Sequence, residues 1–358
     1  MLLGVIISHP HQDHWGLVTQ VSPRVPIFMG EAAHRILREA LFFSSAGADI
    51  KPAGFLRDRT SFHLGPFTIT PYLMDHSAFD AYALLVEADG GHLFYTGDLR
   101  GHGRKAALFE RLLREPPSPI DTLLMEGTLV GAEMDDPRGL ATEADVEHEC
   151  IALFKETQGL ALAAYSSQNI DRLVTLYRAT IQADRDFVMD LYTATVAVAT
   201  GHPTIPRPGW ERVRVFVPFR QRLQVKESGD FSRVDSIKVS RIFPEELAST
   251  PAKFVLTFRA SMSRDLERAK CLLGARLIWS LWRGYLEADN RTRAFCQDHG
   301  ITIHHVHSSG HAFVHDLQRL ADALKPRVVV PIHTTGAKGF EQLFEWVALR
   351  PDRTWWEV

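Results

Sequence analysis

The chain has 358 residues, 45% hydrophobic and 23% charged, with a formal net charge of -3, enough for one large or two ordinary soluble domains with real cores. That charge carries no global signature of nucleic-acid binding. The apolar opening MLLGVII is far shorter than the roughly 20 residues that span a bilayer and lacks the flanks of a signal peptide, so neither membrane anchoring nor export is expected.

In chain order, LLGVIIS reads as a buried strand. FTITPYLM, AYALLVEA and HLFYTGD follow as short strands, with DGGH between the last two as a hairpin signal, so residues 61 to 98 read as an antiparallel run. From about residue 141 longer helices alternate with single strands. TEADVEHECIALFKET is a helix opened by Thr142 with Asp145 three residues on, a relative of the capping box. GLALAAYSS is a strand, QNIDRLVTLYRATIQA a helix, DFVMDL and KFVLTF strands, MSRDLERAKCLL a helix and ARLIWSLW a strand, together a doubly wound unit. The alternation then repeats through ITIHHVHSS, HAFVHDLQRLADAL, RVVVPIHT, GFEQLFEWVAL and TWWEV as strand, helix, strand, helix and strand.

Two compositional features bear on function. Between Arg207 and Arg241 nine Arg or Lys residues face four acids, a basic segment in a slightly acidic protein; it reads either as a solvated face or as a surface for phosphate backbones. Cys150, Cys271 and Cys296 have no CxxC spacing and are odd in number, which argues against a disulfide framework and fits a reducing cytoplasm.

The 17 histidines matter through their arrangement. In SHPHQDHWGL, His9 and His11 stand at i and i+2, so an extended segment sends both side chains to one face, and Asp13 and His14 follow where the chain turns helical. A strand running into a helix can aim these imidazoles and the carboxylate at one volume, the donor set zinc takes. Four groups from one loop cannot saturate two metals, and further candidates stand at strand ends: His76 in YLMDHSA, Asp98 in LFYTGDL, His307 and His311 around Gly310 in HSSGHA, and His333 in VVVPIHTTG. YSSQN, residues 165 to 169, ends another strand; it reads as N-capping by Ser167 or as a phosphate grip.

Taken together these stretches resemble the metallo-β-lactamase fold and, more narrowly, its β-CASP nuclease branch, which includes ribonuclease J. SHPHQDH resembles the signature loop, and DHSAFDAYALLVEADGGHLFYTGDLR the block with the third histidine and bridging aspartate. LLMEGT resembles the acidic strand end before the inserted domain, while HSSGHA and VVVPIHTTGAKGF resemble the late motifs of β-CASP nucleases. The resemblance implies an α/β fold: an αββα metallo-β-lactamase sandwich in residues 1–140 and 301–358, with an inserted doubly wound β-CASP domain in residues 141–300. It implies one zinc on His9, His11 and His76 and a second on Asp13, His14 and His333, with Asp98 bridging; the second site would also accept manganese.

Two such ions can share a hydroxide of lowered pKa and neutralise the oxygens of an in-line phosphoryl displacement. Asp13 would orient that hydroxide, and His311 would contact the scissile phosphate and protonate the departing oxygen. Glu126 would fix the tautomer of His311 and raise its pKa. The amides of the Ser309–Gly310 turn point toward a helix-start anion site, and with His307 they would receive a terminal phosphate.

The expected activity is phosphodiester hydrolysis on RNA or single-stranded DNA in the cytoplasm, with no membrane partner and with homo-oligomerisation open. Two other readings stand beside it: a small-molecule hydrolase of the same fold, and a catalytically silent nucleic-acid-binding subunit. The fold ordinarily places two or more strands before its histidine loop, where this chain has at most seven residues. The reading therefore expects an internal methionine taken as the start, or else a sheet shorn of strands with an exposed edge. From the stop at Val358 the reading also expects the further C-terminal domain of many ribonuclease J proteins to be absent.

Overall fold

In the computed structural model, which describes residues 2–44, 47–131 and 142–356, the apolar opening becomes strand β1 (Val5–Ile6), directly ahead of the histidine loop. It pairs in parallel with β2 (Ile27–Gly30), and β2 with β3 (Gly54–Leu56), a sheet in the order β1-β2-β3. The helix Glu31–Phe43 follows β2 without a loop, and its buried Ala33, Ile36, Leu37 and Ala40 recur at the spacing of one helical face. Asp80 stops the start of that helix from fraying. Its carboxylate accepts from the amides of Ala32 and Ala33 at 2.8 and 3.1 Å, satisfying two first-turn donors from a distant part of the chain.

Strands β4 (Phe62–Leu64), β5 (Phe67–Met74), β6 (Ala81–Ala88) and β7 (Gly91–Tyr95) form the antiparallel run read from the sequence. The β6–β7 hairpin turns on Asp89 and Gly90, both at positive φ (49° and 80°), the conformation a tight two-residue hairpin needs. Strand β8 (Thr122–Glu126) then lies parallel to β7. One face of this sheet buries Phe94, Leu123 and Met125 with Phe109 and Leu112 of helix Ala106–Arg114 and Leu317 and Leu320 of helix Val314–Leu324. The other face places Ile69, Tyr82 and Leu84 against Leu56, with Phe28 beside them, so the two sheets pack face to face. The layers run helix, sheet, sheet, helix.

The chain divides into two compact units: residues 1–37, 49–134 and 310–358 in one, and residues 38–48 and 135–309 in the other. The second unit opens with helix Glu143–Glu156 behind a complete capping box, in which Thr142 Oγ1 accepts from the Asp145 amide and the Asp145 carboxylate accepts from the Thr142 amide. Its strands are β9 (Ala161–Ala164), β10 (Asp186–Asp190), β11 (Val213–Phe216), β12 (Arg241–Ile242), β13 (Phe254–Thr257), β14 (Arg276–Trp279) and β15 (Thr302–His305). All are parallel, in the order β12-β11-β10-β13-β9-β14-β15. Every residue of β9 and β10 is buried, as in a parallel sheet covered on both faces.

Three expectations need correction. The sequence puts the return to the first unit at residue 301, but β15 pairs with β14 in the second sheet, so the return begins at Gly310. The first unit is completed by β16 (Val328–Ile332), parallel to β8. The helix expected over GFEQLFEWVAL is confined to Phe340–Leu343. Phe344 is extended, Trp346 has positive φ, and Val347 bridges to Val329, because Phe344 and Val347 reach the first unit's core only if the chain leaves the helix. The described residues of TWWEV form no strand; its last two lie outside the described residues. Among the described residues no helix is long and apolar enough to cross a membrane.

Candidate metal centre

The histidine loop leaves β1 and is closed by Trp15, whose indole donates to the Pro10 carbonyl at 3.0 Å. His9 and His11 come together with ring centroids 4.9 Å apart. Asp13 and His14 ride on the single-turn helix Gln12–Trp15. Downstream groups arrive at strand ends: His76 after β5, Asp98 after β7, Glu126 at the end of β8 and His333 after β16. Asp98 is aimed by Gly97, which has φ 57° and where an added Cβ would meet the Tyr82 carbonyl oxygen at 2.9 Å. The Asp98 position therefore depends on a residue without a side chain.

These groups converge within the first unit. His76 Nε2 lies 3.2 Å from His11 Nδ1, and the other nitrogen of His76 faces the Gly310 carbonyl at 2.7 Å. Since that carbonyl only accepts, His76 Nδ1 carries the proton and Nε2 is the free lone pair. Around Asp98 stand His14 Nε2 at 3.2 Å, His9 Nε2 at 3.6 Å, His333 Nδ1 at 3.6 Å and His311 Nδ1 at 3.8 Å. Asp13 Oδ2 lies 3.0 Å from His333 Nε2 and 3.5 Å from His14 Nε2. Three overlapping sets have donor atoms close enough to hold a metal ion: His9, His11, His76 and Asp98; Asp98, Glu126, His311 and His333; and Asp13, His14 and His333.

The electrostatics suit a cation. Burial holds His9 and His76 well below the ordinary histidine range and takes His11 down to about 4, so at neutral pH these rings are uncharged, the form a metal binds. Asp13 is held far below the usual carboxylate range, first by its hydrogen bond with His333, whose own pKa rises to about 9 for the same reason. Burial works against ionisation of Asp98, yet the close approach of His14, above all, holds its carboxyl below the usual range. His9 Nε2, His14 Nε2 and both Asp98 oxygens are buried without a partner in hydrogen-bonding geometry. Buried polar atoms are rarely left so, and lone pairs of this kind around one point match nitrogen and oxygen ligation of zinc.

The comparisons agree with this geometry. Residues 2–163 match the beta-lactamase superfamily domain, and residues 301–346 match the Zn-dependent metallo-hydrolase RNA specificity domain. Ribonuclease J of Mycobacterium tuberculosis is 24% identical over 352 residues, 93% of this chain and 58% of the relative. Ribonuclease J of Sinorhizobium meliloti is 22% identical over 94% of this chain and 58% of its own length. A crystal structure of a protein of unknown function from Enterococcus faecalis V583 superposes with a TM-score of 0.75 at 21% identity, covering 98% of this chain and 79% of that one. Both family domains thus fall on the segments that carry the ligand groups. Together these matches support a β-CASP, ribonuclease J-like metallo-β-lactamase fold for the chain. It spans 58% of the length of those two curated relatives.

Several groups organise this centre in ways the sequence reading missed or only partly caught. Thr128 Oγ1 sits 2.8 Å from His333 Nδ1 and 3.2 Å from the His333 carbonyl. Glu126, fully buried, does more than face His311 at 3.4 Å: it also accepts from the amides of Leu99, Thr128 and Ala312. Asp75, next to His76, accepts from the Gly103 amide at 2.7 Å and lies 3.6 Å from the fully buried Arg100. Lys105 donates to the His76 carbonyl at 3.0 Å. A short polar side chain two residues after a strand-end acid, as in EGT, was the one clue to Thr128.

The expected phosphate-binding groups fare differently. Helix Val314–Leu324 starts beyond the Ser309–Gly310 turn, with Phe313 at its N-cap position, so that turn is not a helix start. His307 belongs to the second unit, with Nδ1 3.4 Å from Arg172 Nη1, and burial takes its pKa down to about 3. Ser167 does not cap the following helix; Asn169 does, accepting from the Arg172 amide, while Ser167 bonds Thr193 and Arg259. Much of the basic segment is spent internally: Arg212 on Asp184 and Asp186, Arg214 on Glu246, Arg233 on Glu39 and Asp230, Lys238 on Asp235.

Proposed function

We propose that the chain is a metal-dependent phosphodiester hydrolase acting on RNA, with single-stranded DNA as a further substrate, through two zinc ions. His9, His11 and His76 would hold one ion and Asp13, His14 and His333 the other, with Asp98 between them. The observation that carries this reading is the Asp98 carboxylate, both of whose oxygens are buried without hydrogen-bond partners while imidazoles from both sets converge on it.

Zinc bound there would supply Lewis acidity toward phosphate oxygens and a water of lowered pKa. The chain's own groups do the rest. Asp13, kept ionised by His333, orients the attacking oxygen. The Glu126 carboxylate, with Asp98, outweighs the burial of His311 and raises its pKa, so this ring is the group placed to hand a proton to the departing oxygen. RNA is favoured because His311 and His333 fall within the segment matching the RNA specificity domain, and because the curated relatives are ribonucleases. The three free, buried cysteines fit a reducing cytoplasm.

The test is cleavage of an end-labelled RNA by the full chain loaded with zinc or manganese. His311→Ala should abolish cleavage and leave two zinc ions per chain by elemental analysis. Hydrolysis of esters or lactams without cleavage of RNA or single-stranded DNA would overturn the reading, as would fewer than one zinc per folded chain.

A further inference from the structure

We infer that the second unit carries a nucleotide-binding cavity of its own, built at the switch point of its parallel sheet and independent of the metal centre. From β10 the chain proceeds to β11 on one side, and from β13 to β14 on the other, so the connections leaving the adjacent β10 and β13 diverge. In open α/β sheets ligands settle in the crevice outside the carboxyl ends of strands at such a point. A cavity of about 280 Å³ lies there. It is lined by Tyr192 after β10, Arg220 and Gln221 after β11, Arg259 and Ser261 after β13, and Phe43. That volume falls just below the roughly 300–1,000 Å³ usual for small-ligand sites, which limits the occupant to something no larger than about one nucleotide.

The lining specifies the chemistry. Asp190, fully buried at the end of β10, accepts from Arg259 Nε at 2.8 Å, from Gln221 Nε2 at 2.6 Å and from the Thr193 amide at 3.0 Å. Gln221 Oε1 accepts in turn from the Tyr192 amide. The carboxylate is thus consumed in fixing the two side chains and offers nothing to repel an anion. Arg259 stacks over the Tyr192 ring at 4.8 Å and donates from Nη2 to Ser167, while its Nη1 group has no protein partner among the described residues. Arg220, exposed at the rim, has no ion pair among the described residues.

Two guanidinium groups with unspent donors therefore share one small cavity with two aromatic rings, Tyr192 and Phe43, whose centroids lie 5.3 Å apart. Guanidinium forks match phosphate oxygens, and aromatic faces hold a base. An inorganic anion would use only half of this lining. The ligand is a phosphate ester bearing a base, taken either as a free nucleoside monophosphate or as one unit of a strand.

The experiment is calorimetric titration of the full chain, kept metal-free with chelator, against uridine monophosphate, adenosine monophosphate and inorganic phosphate. The nucleotides should bind at least about tenfold more tightly than phosphate, and Arg220→Ala should weaken them by about tenfold, the worth of a lost charge-assisted contact. Arg259→Lys, which keeps the charge facing Asp190, should weaken them with the far-ultraviolet spectrum unchanged. A short oligonucleotide with both ends blocked separates the sources: displacing uridine monophosphate marks a strand unit, and failing to displace it marks a free nucleotide. No nucleotide binding, binding no tighter than phosphate, or indifference to Arg220→Ala would overturn the inference. Cleavage of RNA without nucleotide binding would remove only this site; nucleotide binding without cleavage would remove only the nuclease reading.

Discussion

Thr128 and His333 are joined by two contacts that together fix the orientation of the imidazole. The Thr128 hydroxyl has a single proton, and at 3.2 Å it donates to the His333 carbonyl, which can only accept. At 2.8 Å it must then accept from His333 Nδ1–H, while Nε2–H donates to Asp13 Oδ2 at 3.0 Å; the ring thus carries both protons, as its pKa of about 9 requires, and a metal would take the place of the Nε2 proton. The Thr128 bond braces a histidine at φ 49°, a conformation few side chains adopt. On the proposed ligand set, Thr128→Val should lower affinity for the second zinc by about ten- to a hundredfold, the usual effect of losing a group that orients a ligand. Thr128→Ser should restore it. Elemental analysis after graded dialysis against chelator reads the difference; equal retention by Thr128→Val and wild type would remove this role.

Glu126→Gln tests the electrostatic half of its function. A neutral amide no longer offsets burial, so the His311 pKa should move down from its raised position, read by proton NMR of the metal-free chain. Glu126→Ala should also destabilise the first unit, because the Leu99, Thr128 and Ala312 amides lose their acceptor. An unshifted His311 titration in Glu126→Gln would contradict the assignment.

The second unit holds Arg172, fully buried and paired with Glu143, with Nη2–Oε1 at 2.9 Å. The guanidinium also reaches Ser280 and Ser308, and Glu143 accepts from Thr175. Glu143→Gln leaves a buried charge unmatched and should cost about 3–5 kcal/mol. Urea unfolding followed by a probe in the second unit measures it. A loss below about 1 kcal/mol would mean that solvent already reaches the pair.

His307 makes stability depend on pH. Its folded pKa is about 3, below the unfolded value, because burial disfavours the charged ring and Arg172 repels it. Between about pH 6.5 and 3 the unfolded chain binds this proton and the folded chain does not, so stability falls as pH falls, by at most about 1.4 kcal/mol per unit from this one group. Above that window the contribution is constant. Denaturant midpoints should therefore decline from pH 6.5 to 4.5 less steeply in His307→Gln than in wild type; parallel declines would show that His307 titrates normally.

How much of this was legible depended on whether the signal was local. HxHxDH, the TGD turn and the DGGH hairpin each compress their chemistry into a few positions, and each stands where its spacing suggested. Helix Glu143–Glu156 was equally plain, because Thr142 and Asp145 cap it from within the same turn. Asp80 was not legible: the helix it caps lies far earlier in the chain, and no local rule connects the two. Thr128, Asp75 and Arg259 escaped for the same reason. The assignment of β15 failed because a short apolar strand reads alike in either sheet; only its pairing with β14 decides.

The contact between His76 and Gly310 has a consequence for how the molecule is made. The carbonyl that sets the His76 tautomer belongs to the first residue of the returning segment, and Gly310 admits no side chain, since a Cβ there would fall 2.6 Å from Ser77 Oγ. His333 arrives later still, on a strand that pairs with β8 across some two hundred residues. A ribosome that has finished the first eight strands has therefore produced six of the seven proposed ligands, but neither the group that orients His76 nor the one that closes the second site. The early histidines wait, uncommitted, while the whole second unit is synthesised. Nascent chains arrested before residue 310 should accordingly hold zinc loosely, and tight retention should first appear only after His333 has left the exit tunnel.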